Sequence, residues 1–258
     1  MLKKRIIPKF LIRGGRLVKA VRFHDNFREA GNPVSTAKVY DAYGVDELMF
    51  LDIDATPQGR PAPGSIIERV SEEVFMPFTV GGGIRTLDQI APLLASGADK
   101  VAINTAAIEN PGFVREAASR FGDQCIVVGI DYKRVPGRGI CVVSRCGTQQ
   151  TDLDPVEWAL RVQDSHAGEI LLCSVDRDGT MDGYDLDLIA RLAHKLDVPL
   201  IASSGAGTLQ HCREALDAGA SAITISSMFL FTDHSPIKVR TYLATNGVCV
   251  RSQKGSHS

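Results

Sequence analysis

Two pairs of short segments carry the residue types that hold an anion. Residues 81–83 are Gly-Gly-Gly and residues 104–105 are Asn-Thr; residues 203–205 are Ser-Ser-Gly and residues 226–227 are Ser-Ser. Glycine lets a backbone N–H approach a phosphate closely, and hydroxyl and amide side chains add donors. A shift of 122 residues carries Gly83 onto Gly205 and Asn104-Thr105 onto Ser226-Ser227. A lone glycine triplet is usually a tight turn. Two matched pairs predict two phosphate sites, and so a ligand with a phosphate at each end. No P-loop is present, and GAGTLQ (205–210) lacks the third glycine of a dinucleotide fingerprint.

A second set of residues has the chemistry to move protons. Asp52, Asp54, Asp131, Asp176 and Asp178 all follow apolar runs. A carboxylate at the end of such a run is placed to act as general acid or base. Asp131, directly after CIVVGI, is the best placed. Each also has a plainer reading as a loop cap or a ligand for a substrate hydroxyl, and Asp178 sits in the turn-like DRDGT.

A third set is charged and begins apolar runs: Arg5, Glu47, Lys100 and Glu169. Residues an even number apart share one face of a strand. Lys100 therefore shares a face with Asn104, Arg5 with Leu11, and Glu169 with Cys173. If the second member of each pair faces one end of a barrel, the four charges meet at the other end. There they would close the bottom as a salt-bridged ring. Bottom-face residues ordinarily serve stability, although buried ion pairs are a costly way to obtain it.

The elements that must position these sets are short apolar runs alternating with amphipathic stretches. The runs are 5–12, 47–53, 77–81, 100–104, 125–131, 169–175, 199–203 and 222–226. Their near-continuous apolar character marks strands covered on both faces. Helical stretches include 86–96, 111–121, 154–166, 186–196 and 208–218. Asn32-Pro33, Asn110-Pro111 and Asp154-Pro155 each set a capping side chain before a proline at the first helical position. Eight alternations in 258 residues predict an α/β fold, a closed (β/α)₈ TIM barrel. The 122-residue shift also lays TVGGGIRTL (79–87) on IASSGAGTL (201–209), so the barrel reads as a duplicated half-barrel. For the first strand a shift of 120 fits instead, and it sets Leu11 opposite Asp131. Residues 1–250 read as one domain and 251–258 as a flexible tail.

Composition narrows the function classes. Apolar residues make up 44% of the chain, charged residues 23%, and the formal net charge is -1. That is a globular composition, without the bulk positive charge that drives nucleic-acid binding. No apolar run reaches membrane-span length, and the apolar stretch in MLKKRIIPKF is too short for a signal peptide. The six cysteines contain no C-x-x-C pair and read as free thiols in a reducing, cytoplasmic compartment.

Taken together, these segments resemble one family, the cyclase subunit of imidazole glycerol phosphate synthase, HisF. The likeness runs from KKRIIP at residue 3 to about residue 247. It is carried by DELMFLDI, VGGGIR, DKVAINTAA, GDQCIVVGID, AGEILL, DRDGT-x-x-GYD and IASSGAG. The resemblance implies a bis-phosphorylated ribulosyl aminoimidazole carboxamide nucleotide as substrate, with ammonia added during its cleavage and cyclisation. It implies phosphate contacts at Gly82, Gly83, Asn104, Thr105, Gly205, Ser226 and Ser227, and substrate contacts at Lys19, Asp52 and Asp178. It implies a HisH-type glutaminase docked on the barrel bottom, touching Asp99, with ammonia entering through a gate of Arg5, Glu47, Lys100 and Glu169. No cofactor, metal, nucleic acid or membrane is implied.

The departures are as telling. The family's acid–base pair is two aspartates; Asp131 matches one, and Leu11 stands where the other belongs, in PKFLI against a family pattern like P-C-L-D-V. Ser204 replaces a glycine of the second phosphate loop and is expected to narrow that site. Cys146 and Cys173 replace hydroxyl residues. With FLDIDAT (50–56), this pattern resembles second-copy HisF-like proteins that pass ammonia toward sugar amidation in surface-polysaccharide synthesis. The alternatives are an active cyclase of histidine biosynthesis, using a carboxylate such as Asp54, and a binding protein without ammonia traffic.

Overall fold

Strands that are apolar on both faces need helices outside and one another's side chains inside, and a closed barrel supplies both. The computed structural model describes residues 3–24 and 26–251; the tail from 252 onward lies outside the described residues. In chain order the first half holds β1 (Arg5–Arg13), β2 (Arg16–Lys19), β3 (Arg28–Gly31), α1 (Pro33–Ala42), β4 (Leu48–Asp52) and α2 (Gly64–Ser71). It continues through β5 (Phe78–Gly81), α3 (Leu87–Ala95), β6 (Lys100–Ile103), α4 (Thr105–Glu109) and α5 (Phe113–Phe121). The second half holds β7 (Ile126–Val135), β8 (Gly139–Ser144), β9 (Gln149–Gln150), α6 (Pro155–Asp164), β10 (Glu169–Ser174) and α7 (Leu186–Ala193). It ends with β11 (Leu200–Ser203), α8 (Leu209–Asp217), β12 (Ala222–Ile225), α9 (Ser227–Phe231) and α10 (Pro236–Thr245).

Eight parallel strands pair in the order β1-β4-β5-β6-β7-β10-β11-β12, and β12 returns to β1. The barrel is closed, a (β/α)₈ fold. Side-chain alternation splits its core in two. Outward residues such as Ile6, Phe10, Phe50, Val80, Ile103 and Ile170 pack under the helices. Inward residues Ile7, Met49, Ala102, Val127, Leu171, Ile201 and Ala222 form a separate apolar plug across the lumen. Two strands run past the barrel: β1 turns into antiparallel β2, and β7 into antiparallel β8. These hairpins stand over the mouth, where the C-terminal ends of the strands open.

The duplication extends beyond the segments that resemble each other. Shifted by 122 residues, the bounds of α1, α2, β5, α3, β6 and α4 fall on those of α6, α7, β11, α8, β12 and α9 without a gap. The proline starts of α1 and α6 match as well: Asn32 caps α1 and Asp154 caps α6, each accepting from two backbone amides. Asn110-Pro111 departs from the sequence expectation. Asn110 accepts from the backbone N–H of Gly112 in a turn that ends α4, and α5 starts only at Phe113. The short α4 uses the residues that would otherwise begin a longer helix.

One packing constraint is repeated in both halves. Gly97 (φ +105°) sits so close to α2 that an added Cβ would collide with the Cβ of Ser71. Its counterpart Gly219 (φ +110°) meets the Cβ of Ala193 on α7 in the same way. Left-handed backbone at a non-glycine residue costs about 1–3 kcal/mol before any collision is counted. Gly97→Ala and Gly219→Ala should therefore each destabilise the barrel by at least that much, measured by urea denaturation. A loss confined to one of the two would show that the halves are not packed alike.

Candidate functional site

The barrel has a charged layer at each end, separated by the apolar plug. At the floor, Arg5 at the start of β1 donates to Glu47 at 2.8 Å and, through two nitrogens, to Glu169 at 3.1 and 3.0 Å. Lys100, at the start of β6, donates to the same two carboxylates at 2.8 and 2.9 Å. Thr79 on β5 adds a 2.6 Å bond to Glu47. Two cations thus each bridge two anions in a closed ring around the barrel axis. The Glu47 side chain is 3% exposed and that of Arg5 23%, so the ring is open to solvent from below.

At the mouth, four more charges meet. Asp131 ends the barrel part of β7, and Asp178 lies in the loop after β10. Lys19, carried over the mouth by β2, donates to Asp178 at 2.7 Å. Lys9 points inward from β1 and is 3% exposed. Its Nζ donates to Ser203 at 2.7 Å, touches Cys173 Sγ at 3.7 Å and stands 3.9 Å from Asp178. Ser204 donates to Asp178 at 3.3 Å, its backbone held at φ +79°.

These neighbours push the two carboxylates apart. Burial drives the Asp131 carboxyl up to about 6, with Asp178 adding to the rise, while Lys9 and a hydrogen bond from Cys173 oppose it. Burial also penalises ionised Asp178, but Lys19 and Lys9 overcome it and hold that group below the ordinary carboxylate range. Asp131 is the carboxyl poised to exchange a proton near neutral pH; Asp178 is a fixed anion. Burial raises the Cys173 thiol, partly offset by Lys9, and drives Cys146 up to about 11, so neither is a ready thiolate.

Leu11 is buried on β1, which stands four strands from β7 in either direction round the barrel. It registers with Leu51 on β4 and Val18 on β2. At this position β1 therefore presents an apolar side chain to the lumen, two residues beyond the inward Lys9.

The two glycine loops are differently occupied. In the first half, Gly83 donates its N–H to Thr56 at 3.2 Å, and Gly82 accepts from Ala62. Thr105 accepts from the backbone of Arg145 at 3.1 Å, while Asn104 Oδ1 is buried without a partner. In the second half, Ser226 and Ser227 are 8% and 5% exposed, and neither hydroxyl has a partner. They line a small pocket with Gly205, Lys9, Lys19 and Asp178. Ser204 also lines it, but its hydroxyl turns toward Asp178 and Cys173.

Other predicted residues lie apart from this cluster. Asp52 is turned into the 53–62 loop, where it accepts from Asp54 N and Ala55 N and pairs with Arg60 at 2.7 Å. It holds the loop and does not join the mouth. Asp54 pairs with Arg13 at 3.3 Å on the rim, and Asp176 accepts from Arg134 N. Asp99 is exposed on the bottom rim and accepts from Phe78 N at 2.9 Å. Sequence reasoning missed Lys9. The alternation that pairs Arg5 with Leu11 also places residue 9 inside, and a lysine within RIIPKFLI was the available signal.

With this geometry in place, comparison with known families gives one finding. Residues 5–235 match the family model described as histidine biosynthesis protein.

The raised Asp131 carboxyl has a measurable consequence. A native-state value of about 6, against 3.8 for the unperturbed group, means that the folded protein binds this proton more tightly than the unfolded chain. Ionising Asp131 thus costs the native state stability as pH rises from about 4 to 6, and the full cost persists above. Asp131→Asn removes that cost, so its Tm relative to the wild type should climb between about pH 4 and 7. A constant offset across that range would place the Asp131 carboxyl at its ordinary value.

Proposed function

The chain belongs to the histidine biosynthesis protein family, and from that premise we propose that it is a diverged HisF-type barrel, which receives ammonia from a glutaminase and holds a phosphorylated ligand at its mouth. One observation carries this reading: a complete four-charge floor lies beneath a mouth that has lost one of its two acid–base carboxylates. A ring of two shared carboxylates is held by cations that side-chain rotation can release, which suits a gate for a small neutral molecule. A purely stabilising role would be met more cheaply by apolar residues of the same volume. The bottom rim supplies a docking surface. Phe75, in the loop before β5, is 96% exposed, and Asp99 immediately precedes Lys100 of the ring.

The mouth binds phosphate through the Gly82-Gly83/Asn104-Thr105 loops and the Gly205/Ser226-Ser227 loops. The second pocket is the stronger of the two. Its hydroxyls are free of protein partners, whereas Thr56 and Arg145 engage Gly83 and Thr105 of the first. Ser204 lines this pocket with its hydroxyl donating to Asp178, which also lines it. Ammonia leaving this barrel serves the amidation of a sugar in the cytoplasm, a role supported by Leu11 and FLDIDAT rather than by any contact.

Asp131 accepts or donates one proton, and nothing on the Leu11 wall exchanges the other. Ring closure to an imidazole needs protons moved on both sides of the reacting carbon. Given free ammonium and the bis-phosphorylated nucleotide, the protein should form little or no imidazole glycerol phosphate. Turnover within about tenfold of ordinary enzyme rates, roughly 1–10³ s⁻¹, would establish an active cyclase instead.

The docking face needs none of that machinery. A HisH-type glutaminase should bind the bottom rim, and Phe75→Ser should weaken that complex in a titration by roughly 10-fold or more, as loss of a buried aromatic anchor does. Equal affinity for the variant would move the interface elsewhere.

A further inference from the structure

Lys9 is unexplained by the reading above. It starts on β1, yet its Nζ reaches Ser203 on β11, two strands away, and Cys173 on β10, three strands away. The side chain therefore crosses the lumen above the apolar plug. A lysine ammonium has three N–H donors. One makes a 2.7 Å bond to Ser203, which also accepts from Thr224 at 2.8 Å. The Cys173 contact is a weak one at 3.7 Å, and Asp178 at 3.9 Å lies beyond hydrogen-bond distance. A buried ammonium thus keeps donor capacity, and it borders the pocket that holds the partnerless hydroxyls of Ser226 and Ser227.

The charge of that pocket depends on this residue. Its charged lining side chains are Lys9, Lys19 and Asp178, a net +1. Lys19 and Asp178 already neutralise each other at 2.7 Å. Without Lys9 the lining would carry no net charge. The first-half loops have no inward lysine at the corresponding strand positions, where β7 carries Gly129.

We propose that Lys9 is the specificity-determining residue of the second-half pocket, and that it selects a group with two negative charges, a phosphate monoester, over a singly charged diester. The proposal rests on the reading of that pocket as an anion site. Lys9 supplies the net positive charge of the pocket lining, Ser226 and Ser227 the hydroxyl donors, and Gly205 the close backbone approach. Other titratable groups facing Lys9 are Asp131 from β7, Cys173 from β10 and Lys19 from β2.

The test uses methyl phosphate and dimethyl phosphate at about pH 8, where the monoester carries two charges and the diester one. Binding to the full chain is followed by NMR at the backbone amides of Gly205, Ser226 and Ser227. Methyl phosphate should bind at least tenfold more tightly than the diester. Lys9→Met should weaken methyl phosphate roughly 10–100-fold, the range for losing a hydrogen bond to a charged group, and should erase the preference. Shifts at Gly82 and Gly83 should keep their wild-type titration curve. Equal affinity of the wild type for the two esters overturns the proposal without any variant, and so does unchanged affinity in Lys9→Met. Absence of methyl phosphate shifts at all three wild-type amides would remove the second-half anion site itself.

Discussion

A side chain that points into a closed barrel meets water only at the two ends of the lumen. Every charge on an inward position must therefore sit in an end layer and find compensation there, since an unpaired buried charge is among the costliest features a fold can carry. This one constraint organises the molecule. Arg5, Glu47, Lys100 and Glu169 balance two against two at the floor, and Lys9, Lys19, Asp131 and Asp178 balance two against two at the mouth. The plug of Ile7, Met49, Val127, Leu171 and Ile201 holds the layers apart. Balance at the level of the layer leaves individual groups unequal. Asp178 has both lysines as neighbours and stays ionised, whereas burial lifts Asp131 toward neutrality despite Lys9.

The duplicated frame fixes where backbone goes but not which donors remain available. Gly83 and Gly205 occupy equivalent positions, and both lie against a neighbouring loop. In the first half that loop brings Thr56 to Gly83 N and tucks Asp52 beneath itself with Arg60. In the second half the equivalent approach is made by Gly183, whose N–H bonds Gly205 O and which offers no side chain. The serine hydroxyls of 226 and 227 are left pointing at the pocket. Two sites of common descent have thereby become unequal through the loops that cover them rather than through the loops that form them.

Most of this frame was legible in the sequence because it follows from periodicity. The eight strands, the helices between them and the repeat at 122 residues all rest on apolar patterning, which a closed barrel enforces at every turn. The floor ring was legible for a related reason: charged residues that open apolar strands have few places to go. The mouth was less so. Asp52 and Asp131 follow similar apolar runs, yet one is consumed by its own loop and the other faces the lumen, a difference set by one residue of strand phase. Asn110 looked like a cap because a proline follows it, but the preceding short helix had already fixed its backbone. Neither outcome is written in local composition.

Lys9 and Leu11 act on the mouth together. They lie two residues apart on the same face of β1, so both look into the mouth. The strand thus sets an apolar side chain at 11 and an ammonium at 9 in one column of the lumen. With an aspartate at 11, an ammonium one layer below would have paired with it and held it ionised, as Lys19 does for Asp178. Such a carboxylate would have been a poor proton donor in any case. With leucine there, Lys9 crosses the barrel toward Ser203 and the second pocket. An ammonium bound to a hydroxyl donates but does not accept, so Lys9 gives the second pocket a fixed positive charge, while Asp131, outside that pocket's lining, is the mouth carboxyl that burial lifts toward neutrality.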